Sequence, residues 1–172
     1  NALLEAGAEI GLHGCDHRLR LPFRSPGMIR ETLARCDAWR SRYGIRGYRS
    51  PCYLRSAHLF SALRGTFAYD SSVPDTDVFT LGRDRGGCCL AAPFRTGAVV
   101  ELPVTLPYEI PLHLGTRPGD LNAYWEEKIR WIREAGGMIL VNTHPEPQYL
   151  GRPAVFRAYE GLLRWLAGDP DA

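Results

Sequence analysis

Residues 9–17 read Glu9-Ile10-Gly11-Leu12-His13-Gly14-Cys15-Asp16-His17, and this stretch decides how the fold is read. Ala8 to Leu12 is a short apolar run that predicts a buried strand, and two histidines follow it directly. Polar residues just beyond strand ends are where sites collect in α/β proteins. Histidines four residues apart can also lie on one side of a helical turn and grip one metal ion. The metalloprotease pattern His-Glu-x-x-His is excluded, because Gly14 stands where the general-base glutamate is needed. On spacing alone His13 and His17 read as metal ligands, as a structural polar pair or as a surface pair.

The segments on either side support the same architecture. Asn1 to Gly7 reads as the end of a helix stopped by glycine. Ser25-Pro26 is a capping serine followed by a first-turn proline, and Ile29, Leu33, Cys36 and Trp39 then recur at helical spacing until Gly44. Ile45 to Tyr48 is a short strand, broken by Arg49-Ser50-Pro51, and Ser56 caps a helix running to Leu63. Phe67 to Tyr69 is another strand, ending at Asp70-Ser71-Ser72; residues 73–87 read as loop. Leu90 to Phe94 and Val99 to Leu106 are strand-like, the second interrupted by Pro103. Pro118 opens an amphipathic helix carrying Leu121, Trp125, Ile129 and Ile132, stopped at Gly136-Gly137. Met138 to Val141 is a buried strand running into Asn142-Thr143-His144-Pro145. A last helix, about Ala154 to Leu166, presents Phe156, Tyr159, Leu162, Leu163 and Leu166. Short apolar strands alternating with amphipathic helices predict an α/β fold with a largely parallel sheet.

At 172 residues the chain is long enough for one domain with a sizeable core. A net charge of +2 argues against nucleic acid, which needs clustered Lys and Arg rather than a slight excess. No apolar run reaches transmembrane length. The five cysteines, with Cys88 and Cys89 adjacent and no CxxC pair, read as reduced cysteines of a cytoplasmic rather than secreted protein. The chain opens on Asn1 rather than Met, so it is expected to be a piece of a longer protein.

Three polar clusters occupy the strand-end position: His13 with His17, Arg49 with Ser50-Pro51, and His144. The last could be a hydrogen-bonded structural residue or an acid able to protonate a leaving amine near neutral pH. Arg49 could pair with a buried carboxylate or lie solvated in its loop. Asp70, Asp75 and Asp77 could orient His144, bind substrate or be solvated. His58 and His113 have no matching partner in the pattern and read as structural.

Taken in order, Glu-Ile-Gly-Leu-His-Gly-Cys-Asp-His at 9–17, Gly-Tyr-Arg-Ser-Pro at 47–51, Tyr-Asp-Ser-Ser at 69–72, Glu-Leu-Pro at 101–103 and Thr-His-Pro at 143–145 resemble the polysaccharide deacetylase (NodB-homology) family. These are metal-dependent, carbohydrate-esterase-type amide hydrolases. The resemblance implies an incomplete, distorted (β/α) barrel as a single domain over 1–172, lacking its first strand or strands. It implies that His13 and His17 bind a divalent metal, usually zinc. It makes His144 the general acid, Arg49 the residue that orders the carboxylate base, and the backbone N–H near Cys52 part of an oxyanion hole. The family's Asp-Asp motif, which carries the base and the third ligand, is expected upstream of Asn1.

Gly14 stands where many members carry Ser or Thr, which is more like the branch that includes allantoinase-like hydrolases of small amides. Three functions are therefore carried forward. The first is N-deacetylation of an amino sugar or polysaccharide, the second is hydrolysis of a small or cyclic amide, and the third is non-catalytic binding of glycan or metal.

Overall fold

The computed structural model describes residues 2–75, 91–113 and 115–168. Within it the chain divides into two compact units, Asn1–Pro103 and Val104–Ala172.

The first unit opens with a short helix, α1 (Ala2–Glu5), and Gly7 follows it in the left-handed conformation expected of a stop. The anticipated strand at 8–12 is reduced to a single parallel bridge from Leu12 to Tyr48. Ser25 caps α2 (Pro26–Ala34), its hydroxyl accepting the Met28 N–H at 3.4 Å. The helix expected to reach Gly44 is instead two helices, because the chain leaves helical geometry at Cys36 (ψ 3°) before α3 (Asp37–Tyr43). As a result Ile29 and Leu33 are buried while Trp39 is exposed. After β1 (Gly47–Tyr48), Ser56 caps α4 (Ala57–Leu63) by accepting the Leu59 N–H at 3.1 Å.

The strands β2 (Tyr69–Asp70), β3 (Phe94–Thr96) and β4 (Val99–Glu101) complete a sheet of order β1-β2-β4-β3. β1, β2 and β4 run parallel, and β3 returns antiparallel on β4. Ile29 and Leu33 of α2, Leu59, Ala62 and Leu63 of α4, and Tyr48, Phe67 and Val99 from the sheet region share one apolar cluster. Each such side chain contributes on the order of 1.5–3 kcal/mol by leaving water. That cluster holds the sheet's strand ends in place.

The second unit pairs β5 (Leu106–Pro107) in parallel with β6 (Val141–Asn142). Between them lie α5 (Ile110–His113) and α6 (Leu121–Glu134), and α7 (Pro153–Ala167) closes the unit. Leu121, Trp125, Ile129 and Ile132 are all fully buried, as their spacing predicts. The face foreseen for α7 is shifted: Val155 and Leu162 are buried, whereas Phe156 and Leu163 are exposed. Both sheets are open, and no closed barrel forms among the described residues. What stands is a mixed α/β architecture. Among the described residues no helix is long and apolar enough to cross a membrane.

Candidate functional site

In the first unit the residues after Leu12 form a loop rather than a helical turn. The loop still brings the two imidazoles together, with His13 and His17 ring centroids 5.1 Å apart and edge to face. Two left-handed residues make this possible, Gly14 (φ 67°) and His17 (φ 54°). A Cβ on Gly14 would also come within 3.2 Å of the Pro51 ring, so glycine lets the histidine loop pack on the Ser50-Pro51 turn.

That turn is itself tied to the loop. Leu12 N–H donates to the Gly47 carbonyl at 2.9 Å and Arg49 N–H donates to Leu12 at 2.8 Å. His13 Nδ1 lies 3.0 Å from the Arg49 carbonyl. A carbonyl only accepts, so Nδ1 carries the proton and the ring's lone pair sits on Nε2. This second-atom anchoring is the usual arrangement for a metal-ligating histidine. Two imidazoles fit a divalent ion as donors, but no group of three His, Cys, Asp or Glu suited to a metal occurs among the described residues.

Arg49 reaches away from its own carbonyl. Its Nε donates to the Ser71 carbonyl at 3.0 Å and one terminal nitrogen donates to the Ser71 hydroxyl at 2.9 Å. The Ser71 hydroxyl donates in turn to the Leu102 carbonyl at 2.9 Å. The guanidinium therefore bonds β2's continuation rather than lying solvated in the loop. Cys52 and Tyr53 both take left-handed backbone (φ 52° and 57°), a conformation that costs a non-glycine residue about 1–2 kcal/mol. Two consecutive outliers of this kind cluster at sites more often than elsewhere.

Cys15, between the two histidines, lies against Cys36 at the α2–α3 junction, their Cα atoms 6.3 Å apart. A separation of 21 residues carries no local signal, which is why sequence pattern missed it. Cys88 and Cys89 lie outside the described residues, as does Asp77.

In the second unit, His144 follows β6 as expected, and a residue that sequence reasoning overlooked holds it. Glu109 is buried just beyond β5, and its Oε1 accepts the His144 backbone N–H at 2.6 Å. Its Oε2 lies 3.3 Å from His144 Nδ1. Burial pushes the Glu109 carboxyl above its ordinary value, and the His144 bonds pull it back toward ionisation. With Nδ1 facing a carboxylate, Nε2 is the nitrogen turned to the half-exposed side. The signal that could have found Glu109 is an acidic residue directly after the apolar run Leu106-Pro107-Tyr108, the same strand-end position that singled out the histidines.

The platform under this pair is rigid. Tyr108 is fully buried, donates its hydroxyl to Asn122 at 2.8 Å, and accepts the Trp125 indole N–H on its carbonyl at 3.2 Å. His113, read as partnerless in the sequence, packs its ring on Tyr149 at 5.6 Å, and Tyr149 packs on His144 at 5.3 Å.

Comparison with known proteins bears on the fold. No protein-family model matches the chain, and no curated protein matches it in sequence. Among solved structures it is similar to the crystal structure of PuuE allantoinase, with a TM-score of 0.70 at 16% identity. The match covers 99% of this chain and 56% of that one, so the chain spans little more than half the length of the protein it resembles. At that identity, what the two share is the fold.

Proposed function

We propose that the chain is part of a metal-dependent hydrolase of non-peptide C–N amide bonds, of the polysaccharide deacetylase type, that removes the N-acyl group of an amino sugar or polysaccharide. The observation that carries this reading is the His13 ring fixed through Nδ1 on the Arg49 carbonyl, with His17 at its edge. A divalent ion, zinc by the family resemblance, would be held by these two histidines and would supply Lewis acidity toward the amide carbonyl and its attacking water.

The chain's own residues do the rest. Arg49, fastened to Ser71, stands ready to order a carboxylate base. The Cys52 N–H would be the donor to a developing oxyanion, since the Tyr53 and Leu54 N–H groups donate to the Ser50 and Pro51 carbonyls. His144, with Glu109 on Nδ1, gives a proton from Nε2 to the leaving nitrogen as the C–N bond breaks. Free amine and carboxylate are the products.

A second reading, hydrolysis of a small or cyclic amide, is favoured by the likeness in fold to PuuE allantoinase and by Gly14 in the histidine motif. One experiment separates them. The full-length zinc-loaded protein is offered N-acetylglucosamine oligomers and a cyclic ureide. Acetate release supports the first reading, ring opening without acetate supports the second, and no turnover of either supports a non-catalytic binding domain. Zinc calorimetry on this chain, with His13→Ala as control, checks the metal: two protein ligands give weak binding that the substitution abolishes, and unchanged binding in the variant removes His13 from the site.

A further inference from the structure

Asp70 closes β2 and Glu101 closes β4, and the parallel register sets them side by side. Both are 0% exposed. Each carboxyl spends one oxygen on a fixed donor. Asp70 Oδ1 accepts the Ser72 hydroxyl at 2.7 Å, and Glu101 Oε1 accepts the Val73 N–H at 2.8 Å. The other two oxygens, Oδ2 and Oε2, are buried without an N–H or O–H donor among the described residues. The two carboxyls lie within hydrogen-bonding reach of each other. Two ionised carboxylates cannot share such a place, whereas one proton between them satisfies both orphaned oxygens.

We infer that Asp70 and Glu101 hold a single proton between them and serve together as positioning residues for the Arg49–Pro51 turn, acting through Ser72. The Ser72 hydroxyl that donates to Asp70 also accepts the Ser50 N–H at 2.8 Å. Ser50 follows Arg49, whose carbonyl anchors His13. The relay therefore runs from a buried carboxyl pair to the turn that holds the candidate ligand. Its value for catalysis rests on the function proposed above; its existence does not.

The charged and titratable groups around the pair are few. Tyr48 comes from β1, its phenol pushed up by burial and by the Asp70 charge; Arg49 is bonded to Ser71; Asp75, on the segment after β2, is buried. Burial first, and then the neighbouring Asp70 charge, push Glu101 up to about 9, and burial raises Asp70 as well. A folded-state value above the unfolded one means that the stabilisation is complete below about pH 4.5 and is lost progressively as pH rises toward about 9.

Infrared spectroscopy of the protein tests the proton directly. The expected result is a protonated-carboxyl C=O band at pH 7 that disappears as pH passes about 9. Its absence at pH 7 overturns the inference. Glu101→Gln supplies a permanent donor to Asp70 and should remove that band, flatten the fall of Tm between pH 5 and pH 9, and keep amide-exchange protection at Ser50. Glu101→Leu should lose that protection. A Tm slope in Glu101→Gln equal to that of wild type, or Ser50 protection equal in the Gln and Leu variants, also overturns it. If either variant fails to fold, the infrared titration of wild type decides alone. None of these readouts depends on turnover, so failure of the hydrolase reading leaves them intact.

Discussion

The two units each bury a carboxylate at a strand end, and they resolve the cost in opposite ways. Glu101 faces another carboxyl and is kept neutral, so its surroundings are a closed network of hydroxyls and backbone N–H groups. Glu109 faces an imidazole and backbone N–H of His144, whose bonds favour its ionised form and tie it to a side chain that is 49% exposed. Burial raises both groups. The partner decides whether the result is a closed clamp or a carboxylate–imidazole pair open to solvent.

The comparison breaks most visibly at His144. If the proposed hydrolase reading holds, His144→Ala should lower turnover by about 10²–10⁴-fold, the share of a general acid. Zinc content, read by metal analysis, should not change. Equal loss of metal and turnover would place His144 among the ligands instead.

Glu109→Gln sharpens the same point with a smaller effect. The amide keeps the volume and can still accept the His144 N–H, but it no longer stabilises an imidazolium or fixes the tautomer. The loss of turnover should be smaller than in His144→Ala, because the imidazole itself stays in place. The acid limb of the pH–rate profile should flatten, since the Glu109 carboxyl, raised by burial, no longer titrates in the variant. An unchanged profile with reduced rate would mean that Glu109 serves only to hold the backbone.

How much of this was legible in the sequence follows the range of each interaction. Helix starts at Ser25 and Ser56 and the buried face of α6 were readable, because capping and periodicity are local. His13, His17, Arg49 and His144 were readable as strand-end residues, and the first three do come together in the first unit through the Leu12–Tyr48 bridge. The break at Cys36 was missed because Cys36 and Trp39 continue the apolar period that tertiary packing then abandons. Pairings across distance were invisible: Asp70 with Glu101, Glu109 with His144, and Cys15 with Cys36 depend on strand register and loop path, which no local pattern encodes. Asp70 accordingly read as a solvated or site-facing carboxylate, whereas it is one of the most deeply buried groups in the chain.

The smallest expected effects compare hydroxyls that stitch each unit together. Ser72 donates to Asp70 and accepts from Ser50 N–H, and it is fully buried. Thr105 plays a similar part in the second unit, donating to the Met138 carbonyl at 2.9 Å and accepting the Leu140 N–H at 2.8 Å. Removing either hydroxyl strands a donor and an acceptor, at about 1–3 kcal/mol where water cannot replace it. Around Ser72 the stranded atoms are a buried amide and a carboxyl already short of donors, so Ser72→Ala should fall near the upper end. Met138 and Leu140 are only half-buried, and water can reach them, so Thr105→Val should cost about 1 kcal/mol or less. Chemical denaturation of both variants at pH 7 measures the difference. Equal losses would mean that the carboxyl pair is no more sensitive to its hydroxyl than an ordinary strand crossing, and the clamp would then have to hold the Arg49–Pro51 turn by some route other than Ser72.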